Sequence, residues 1–313
     1  MAANRSDPDL NIDASKIPGG FRAAFARALA DVGLTVKHWQ GINVICCDSA
    51  GEERTLSLAN VYRHAQNADR AAWPAIIAEF VQHVTEATQQ AVLPENLTDV
   101  AGKVLVRVGQ PFPKSMAANT PWHRQLGKTG LIVNMVIDHP KYMAYVTTAL
   151  VENSGRGADD WLQSARANLL AQTPAGYLEP VSEEVDIRIG SEGDAYDAAR
   201  ALILDELLPG KGEFGFFVAV PTRDLLLVQP VAADSLIHVH ALKRFAVDHH
   251  GSKPYPISDE VYWVRRGEWF HFPIDIRNDS IQVTPPCEFV EEVLGRISPE
   301  QLEDQELDDD MPA

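Results

Sequence analysis

Residues 216–228 read FFVAVPTRDLLLV, two aromatic and β-branched runs on either side of Pro221, Thr222, Arg223 and Asp224. Runs of this kind form strands, and a proline-led tetrapeptide between them predicts a hairpin in which the pyrrolidine ring sets the turn. Upstream, Gly190 to Gly193 turns the chain into a predicted helix from Asp194 to about Leu208. Downstream, Asp234 can cap a helix to about His249, which Pro254 and Pro256 stop. The result is helix, hairpin, helix. Val185, Ile187 and Ile189 alternate with polar residues as a further strand, and Val261 to Val264 can pair with Trp269 to Phe272 around Arg266 and Gly267.

The same order occurs near the start of the chain. Phe21, Phe25, Leu29 and Val32 repeat at helical spacing, and Gly33 suits the left-handed residue that ends a helix. Leu34 to Trp39, Asn43 to Cys47 and Arg54 to Leu58 read as a meander broken by Gly41 and Gly51. Pro74 then fits the first turn of a helix striped by Ile76, Ile77, Phe80, Val81 and Val84. Between the two units, Val104, Val106 and Val108 predict a half-buried strand, and 114–130 a loop. Leu131 to Ile137 and Tyr142 to Leu150 predict a pair of strands, and 159–171 a helix. A short helix carrying Phe289, Val293 and Ile297 comes last. The expected class is α+β, with repeated helix-hairpin-helix units on antiparallel sheets. The expected division is a flexible arm over 1–18, an N-terminal domain over 19–175, a C-terminal domain over 176–298 and a disordered acidic tail over 299–313.

Of the 313 residues 45% are hydrophobic, enough for a substantial core, and the formal net charge is −17. Setting aside the seven acids from Glu300 to Asp310 still leaves −10, so the folded part is itself acidic. Such a surface repels nucleic acid and anionic lipid, and it favours a protein partner with a basic surface. Cys46, Cys47 and Cys287 offer neither a disulfide framework nor zinc-ligand spacing. Apolar runs fall short of the roughly 18 residues that span a bilayer, and the expected location is the cytoplasm.

The densest chemistry is Asp194, Tyr196, Asp197 and Arg200 at the predicted helix start, with Arg223 and Asp224 at the hairpin tip. These six are the candidate ligand or partner-binding residues. As an enzyme site, Asp194, Asp197 and Asp224 would hold a divalent cation through hard oxygens, with Asp197, Arg200 and Asp224 as the catalytic set. As ordinary structure, Asp194 is an N-cap, Asp197 at N3 meets the same free N–H groups, and Arg200 makes a surface pair with Asp197. The glycines before this helix suggest a phosphate loop, but Glu192, Asp194 and Asp197 would repel the phosphate. Gly127, Lys128 and Thr129 imitate the end of a Walker loop, yet Trp122 stands where its first glycine belongs. His238 and His240 face opposite sides of a helix, about 200° apart, and cannot chelate one ion; His240 could face the core. The aromatic run Tyr262, Trp263, Trp269, Phe270 and Phe272 reads as cross-strand packing in preference to a ligand platform. No cofactor is implied.

Leu58 to Tyr62, Ile76 to Glu86, Phe112 with Pro113, Ala165 to Leu169, GDAYDAAR over 193–200, VAVPTRDLLLV over 218–228 and YPIS over 255–258 form an ordered set. In order and spacing this set resembles the uncharacterised YtpQ-like family of bacterial proteins over roughly residues 21 to 273. Residues 114–150 are only loosely similar, and the segment after 275 looks like an addition. The resemblance implies a fold; the family brings no established activity, ligand or catalytic residue. The expectation is therefore a non-catalytic protein-interaction module, with a metal-assisted hydrolase on Asp194, Asp197 and Asp224 as the alternative.

Overall fold

The computed structural model describes residues 12–90, 93–112, 121–139, 142–182, 184–232, 235–277 and 280–296. They carry helices and antiparallel sheets, an α+β chain. Two compact units emerge, one from 1–95 with 138–144 and 251–256, the other from 96–137, 145–250 and 257–313. The main division falls near residue 95 and not at the loop near 175–190. Hydrogen bonds across that loop account for this: Arg200 donates to Thr173 and Tyr177 donates to Asp197, which tie the chain before it to the chain after it.

In the first unit α1 (Gly19–Asp31) buries Phe21, Phe25 and Leu29. Gly33 takes φ +81°, and Leu34 N–H returns to the Leu29 carbonyl at 2.9 Å, so the helix ends as its glycine requires. The meander is β1 (Thr35–Gln40), β2 (Asn43–Cys47) and β3 (Glu53–Ser57), with β2 central. A short α2 (Ala59–Gln66), absent from the sequence reading, precedes α3 (Trp73–Gln90), which has Pro74 in its first turn. The expected loose arm over 1–18 needs correcting where it is described. Ile17 lies in this unit's core, and Arg22 and Tyr62 donate to the carbonyls of Ala14 and Lys16. The rest of the arm, residues 114–120, Asp234, Ile297 and the acidic tail lie outside the described residues.

The second unit opens with β4 (Val104–Gly109), β5 (His123–Gln125) and β6 (Ile132–Asp138), in sheet order β4–β6–β5; β5 falls in the stretch expected as loop. All but two residues of β4 are buried, since α5 covers a face expected to meet solvent. The chain continues through β7 (Met143–Tyr145), α4 (Thr148–Asn153) and α5 (Ala158–Gln172). A strand reaching Leu150 is thus replaced by a helix, because the Thr147 hydroxyl accepts from Leu150 N–H and caps α4. Next come β8 (Glu179–Pro180), β9 (Arg188–Gly190), a 3₁₀ helix (Ala198–Ile203) and the single-turn α6 (Leu204–Leu207). The deciding hairpin is β10 (Phe216–Thr222) and β11 (Leu225–Pro230), followed by α7 (Ser235–Ser252). The end is β12 (Val261–Arg265), β13 (Glu268–His271), β14 (Ile274–Arg277), β15 (Ser280–Val283) and α8 (Cys287–Phe289), prolonged by a π turn over Val290–Leu294.

The hairpin at 216–230 lies at the centre of a six-stranded sheet in the order β13–β12–β10–β11–β9–β8. Every residue of β10, β11 and β12 is buried. Strand alternation sends Phe217 and Ala219 toward α7, where Val239, Leu242 and Ala246 meet them. The 3₁₀ helix packs on the same two strands. Pro221 does not make the turn as expected. It belongs to β10, at a slip in register where its missing N–H costs no ladder bond, and Arg223 and Asp224 form the tip. The helix expected from Asp194 to Leu208 is only the 3₁₀ and single-turn pieces, because the carboxylates expected to start it are engaged elsewhere. The first unit's strands form a three-stranded sheet of their own, whereas this hairpin is built into six strands. The segment after 275 is integral, since Phe289 and Val293 share a core with Trp263 and Phe272. No helix among the described residues is long and apolar enough to cross a membrane.

Candidate functional site

Gly190 ends β9 with the Tyr177 ring so close that a Cβ there would sit 2.2 Å from it, and Gly193 takes φ +75°. Between these two glycines the backbone presents consecutive N–H groups, a natural nest for an anion. The anion is supplied by the chain itself. Glu192 N–H donates to Asp197 Oδ1 at 2.9 Å and Gly193 N–H to Oδ2 at 2.8 Å. Tyr177 hydroxyl donates to Oδ1 at 2.7 Å, and Arg200 Nη1 reaches it at 3.2 Å. Arg200 also grips Asp194 with both terminal nitrogens, at 2.9 and 2.6 Å, donates from Nε to Thr173, and lies over the Tyr177 ring.

The expected capping arrangement is therefore incomplete. Asp194 does accept from Tyr196 N–H at 2.9 Å, in a turn where Ala195 adopts φ +74°, but Asp197 caps no helix. Nor is Arg200 with Asp197 a surface pair, because both side chains are 0% exposed. Burial penalises each charge, and here that penalty is outweighed. Desolvation alone would raise the Asp194 carboxyl, yet the Arg200 bonds and Tyr196 N–H hold it below its ordinary range. Burial also opposes the Arg200 charge, but Asp194 raises its pKa. Burial first, then the Asp197 carboxylate, pushes the Tyr177 phenol far above its usual value, so it is a fixed donor.

At the hairpin tip Asp224 accepts two bonds from Arg223, both at 3.0 Å, while the Arg223 carbonyl accepts Ala198 N–H. The tip thus docks on the 3₁₀ helix through backbone, and its two side chains satisfy each other. Of the six candidate residues, Asp194, Asp197 and Arg200 form one network, while Tyr196 is buried beside it. With Asp197 and Arg200 enclosed, a partner can reach only Asp194, Arg223 and Asp224. Among the described residues no three His, Cys, Asp or Glu side chains are grouped as metal ligands.

A second charged cluster is open. Between α7 and the β14–β15 hairpin runs a groove of about 680 Å³, bordered by Asp248, Asp259, Glu260 and Asp275 and by Lys243, Arg244 and His271. Lys243 Nζ donates to Glu260 at 3.1 Å and to the Asp259 carbonyl at 2.8 Å. His271 Nε2 lies 3.2 Å from Glu260 Oε2.

Family models, curated proteins and solved structures give no match to this chain.

The chemistry must therefore be read from these clusters. The His271 ring first, and then the Lys243 ammonium, hold Glu260 down to about 2 against the opposing effect of burial. A carboxylate so placed remains charged at any physiological pH and faces the groove. Sequence reading missed this cluster because its members come from α7, the loop before β12 and β13, with no short-range spacing to link them. The other histidine expectation also needs correcting: His240 is half-exposed, and its ring meets the Ile237 carbonyl at 2.9 Å on the helix surface, not in the core. The aromatic hairpin packs across its strands as expected, with Trp263 opposite Phe270 at 5.0 Å.

Proposed function

We propose that the chain is a non-catalytic, cytoplasmic protein-recognition module whose groove between α7 and the β14–β15 hairpin takes a basic, extended segment of a partner protein. The observation that carries this reading is the charge of the groove. Four carboxylates border it against Lys243 and Arg244, with Asp259 and Glu260 on Lys243 and Asp275 on the exposed Arg277, so the groove keeps a net negative charge. Val247 and Ile276 add apolar surface for alternate side chains of the occupant. The β14–β15 pair is a two-stranded sheet, so β15 offers its outer backbone edge as well. The net charge of −17 steers a basic partner toward the protein at a distance. We also propose kinship with the YtpQ-like bacterial proteins, on the segments quoted above.

The test is fluorescence anisotropy with a short labelled peptide in which Lys and Val alternate, titrated with the whole chain at rising salt. Binding is expected to weaken as salt rises, and the double variant Asp248→Arg/Asp275→Arg is expected to lose about tenfold in affinity or more. No binding at low salt, or equal affinity in the double variant, would remove the groove from consideration.

A further inference from the structure

A second cavity, of about 710 Å³, is bordered by β13, and its volume is within the range of about 300–1,000 Å³ typical of small-molecule sites. Its lining is mixed: Leu162, Leu202 and Phe270 are the partly exposed apolar side chains, with Leu126, Val133 and Trp269 buried behind them. Three cations border it, Arg124, Lys128 and Arg166, against two acids, Glu268 and Glu288. In a chain of net charge −17 this is a local reversal of sign.

How these cations are held separates them from ordinary surface charge. Arg124 is matched by Asp159 at 2.6 Å, and Arg166 meets Glu206 only at 4.0 Å. Lys128 pairs with no acid among the described residues. It stands on a turn fixed on both sides. Gly127, at φ +55°, approaches β13 so closely that a Cβ would lie 2.1 Å from the Trp269 carbonyl oxygen. Buried Thr129 donates from its hydroxyl to the Leu126 carbonyl and accepts from Leu131 N–H at 3.1 Å. The Gly-Lys-Thr sequence that imitates a Walker loop is thus a fixed mount for one ammonium, without an acidic partner among the described residues, on the border of this cavity.

We propose that this cavity binds a small organic monoanion, a carboxylate or sulfonate carried on an aromatic or aliphatic body. Leu162, Leu202 and Phe270 take the body, and Lys128 with Arg166 takes the charge. Glu268 and Glu288 disfavour a polyphosphate, because several negative charges would meet two carboxylates in the same space. This site is separate from the groove proposed for a protein segment and does not rest on it, although His271 borders both.

Titration of the whole chain with anilinonaphthalenesulfonate, with naphthoate as competitor and neutral phenylnaphthylamine as control, tests the proposal. The sulfonate should bind and be displaced by naphthoate, and the neutral amine should bind at least about tenfold more weakly. Lys128→Glu and Arg166→Glu should each weaken the sulfonate about tenfold without changing the amine, whereas Arg244→Glu in the groove should change neither. Lys128 is exposed, so its variants should fold; Lys128→Gln, which removes charge without adding repulsion, should give a smaller loss. Equal binding of the neutral amine, or unchanged affinity in both charge-reversal variants, would overturn the assignment.

Discussion

Two clusters in the second unit have nearly the same composition and opposite character. Arg200 sits between Asp194 and Asp197, and Lys243 sits between Asp259 and Glu260. In the first, Asp197 is fully buried and receives four donors, three on Oδ1 from Glu192 N–H, Tyr177 and Arg200 and one on Oδ2 from Gly193 N–H. In the second, Glu260 has Lys243 as its hydrogen-bonding cation and His271 alongside, and its side chain remains 25% exposed beside an open groove. Charge composition therefore does not separate a structural cluster from a binding one. Saturation does: a carboxylate that already holds four donors and is shut from solvent holds the fold together, and one with few donors beside an open groove can meet a partner.

The largest effect should come from emptying the saturated member. Asp197→Asn keeps the shape but removes the charge, turning one oxygen that accepts from a backbone N–H into a donor that faces it. It also leaves buried Arg200 with Asp194 alone. Breaking a buried pair costs about 3–5 kcal/mol, and urea unfolding should show a loss in that range. Glu260→Gln should cost less, on the order of 2 kcal/mol, since water can replace part of the lost partner. If the two variants lose the same stability, the distinction drawn from saturation fails.

How much of this was legible follows from the range of each signal. The α1 helix with Gly33, the meander, the Pro74 helix and the hairpins around Arg223 and Arg266 are set by residues within a few positions of one another, and they lie where the sequence places them. The role of Asp197 was not legible. Tyr177, one of its donors, is twenty residues away, and Arg200 is anchored on Thr173, so a pattern that locally reads as a helix start is overridden by tertiary partners. The β14–β15 hairpin was within reach, because Ile274 and Ile276 alternate with charged residues ahead of Asn278 and Asp279. It was overlooked for lack of a long apolar run. The groove was not within reach, since it depends on how α7 lies beside that hairpin.

A smaller, pH-dependent effect sharpens the comparison from the open side. In the folded chain Glu260 titrates near 2, below its ordinary 4.5. A folded-state pKa lower than the unfolded one adds stability that is fully present above about 4.5 and is lost as pH falls toward about 2. After allowance for solvent screening the contribution is on the order of 2 kcal/mol. Asp194, also depressed, titrates in the same direction, so the informative quantity is the difference between wild type and Glu260→Gln. Urea unfolding at successive pH values should show that difference shrinking between about pH 4.5 and 2. A difference independent of pH would mean that His271 and Lys243 do not hold this carboxylate.

The smallest expected effect tests saturation where it is most complete. A divalent cation needs carboxylate oxygens with free lone pairs, and Mg²⁺ is strict about their number and geometry. Asp197 is closed to solvent and already holds four donors, Asp194 has both oxygens on Arg200 with a further bond from Tyr196 N–H, and Asp224 has both on Arg223. To bind there, a metal would have to displace two guanidinium groups from five charge-assisted bonds and leave Arg200 buried without its counter-ions. Thermal unfolding in millimolar Mg²⁺ or Mn²⁺ should accordingly show the same melting temperature as in chelator. A rise that Asp224→Asn abolishes would show that the ion pairs yield to metal, and would return these three carboxylates to the hydrolase reading.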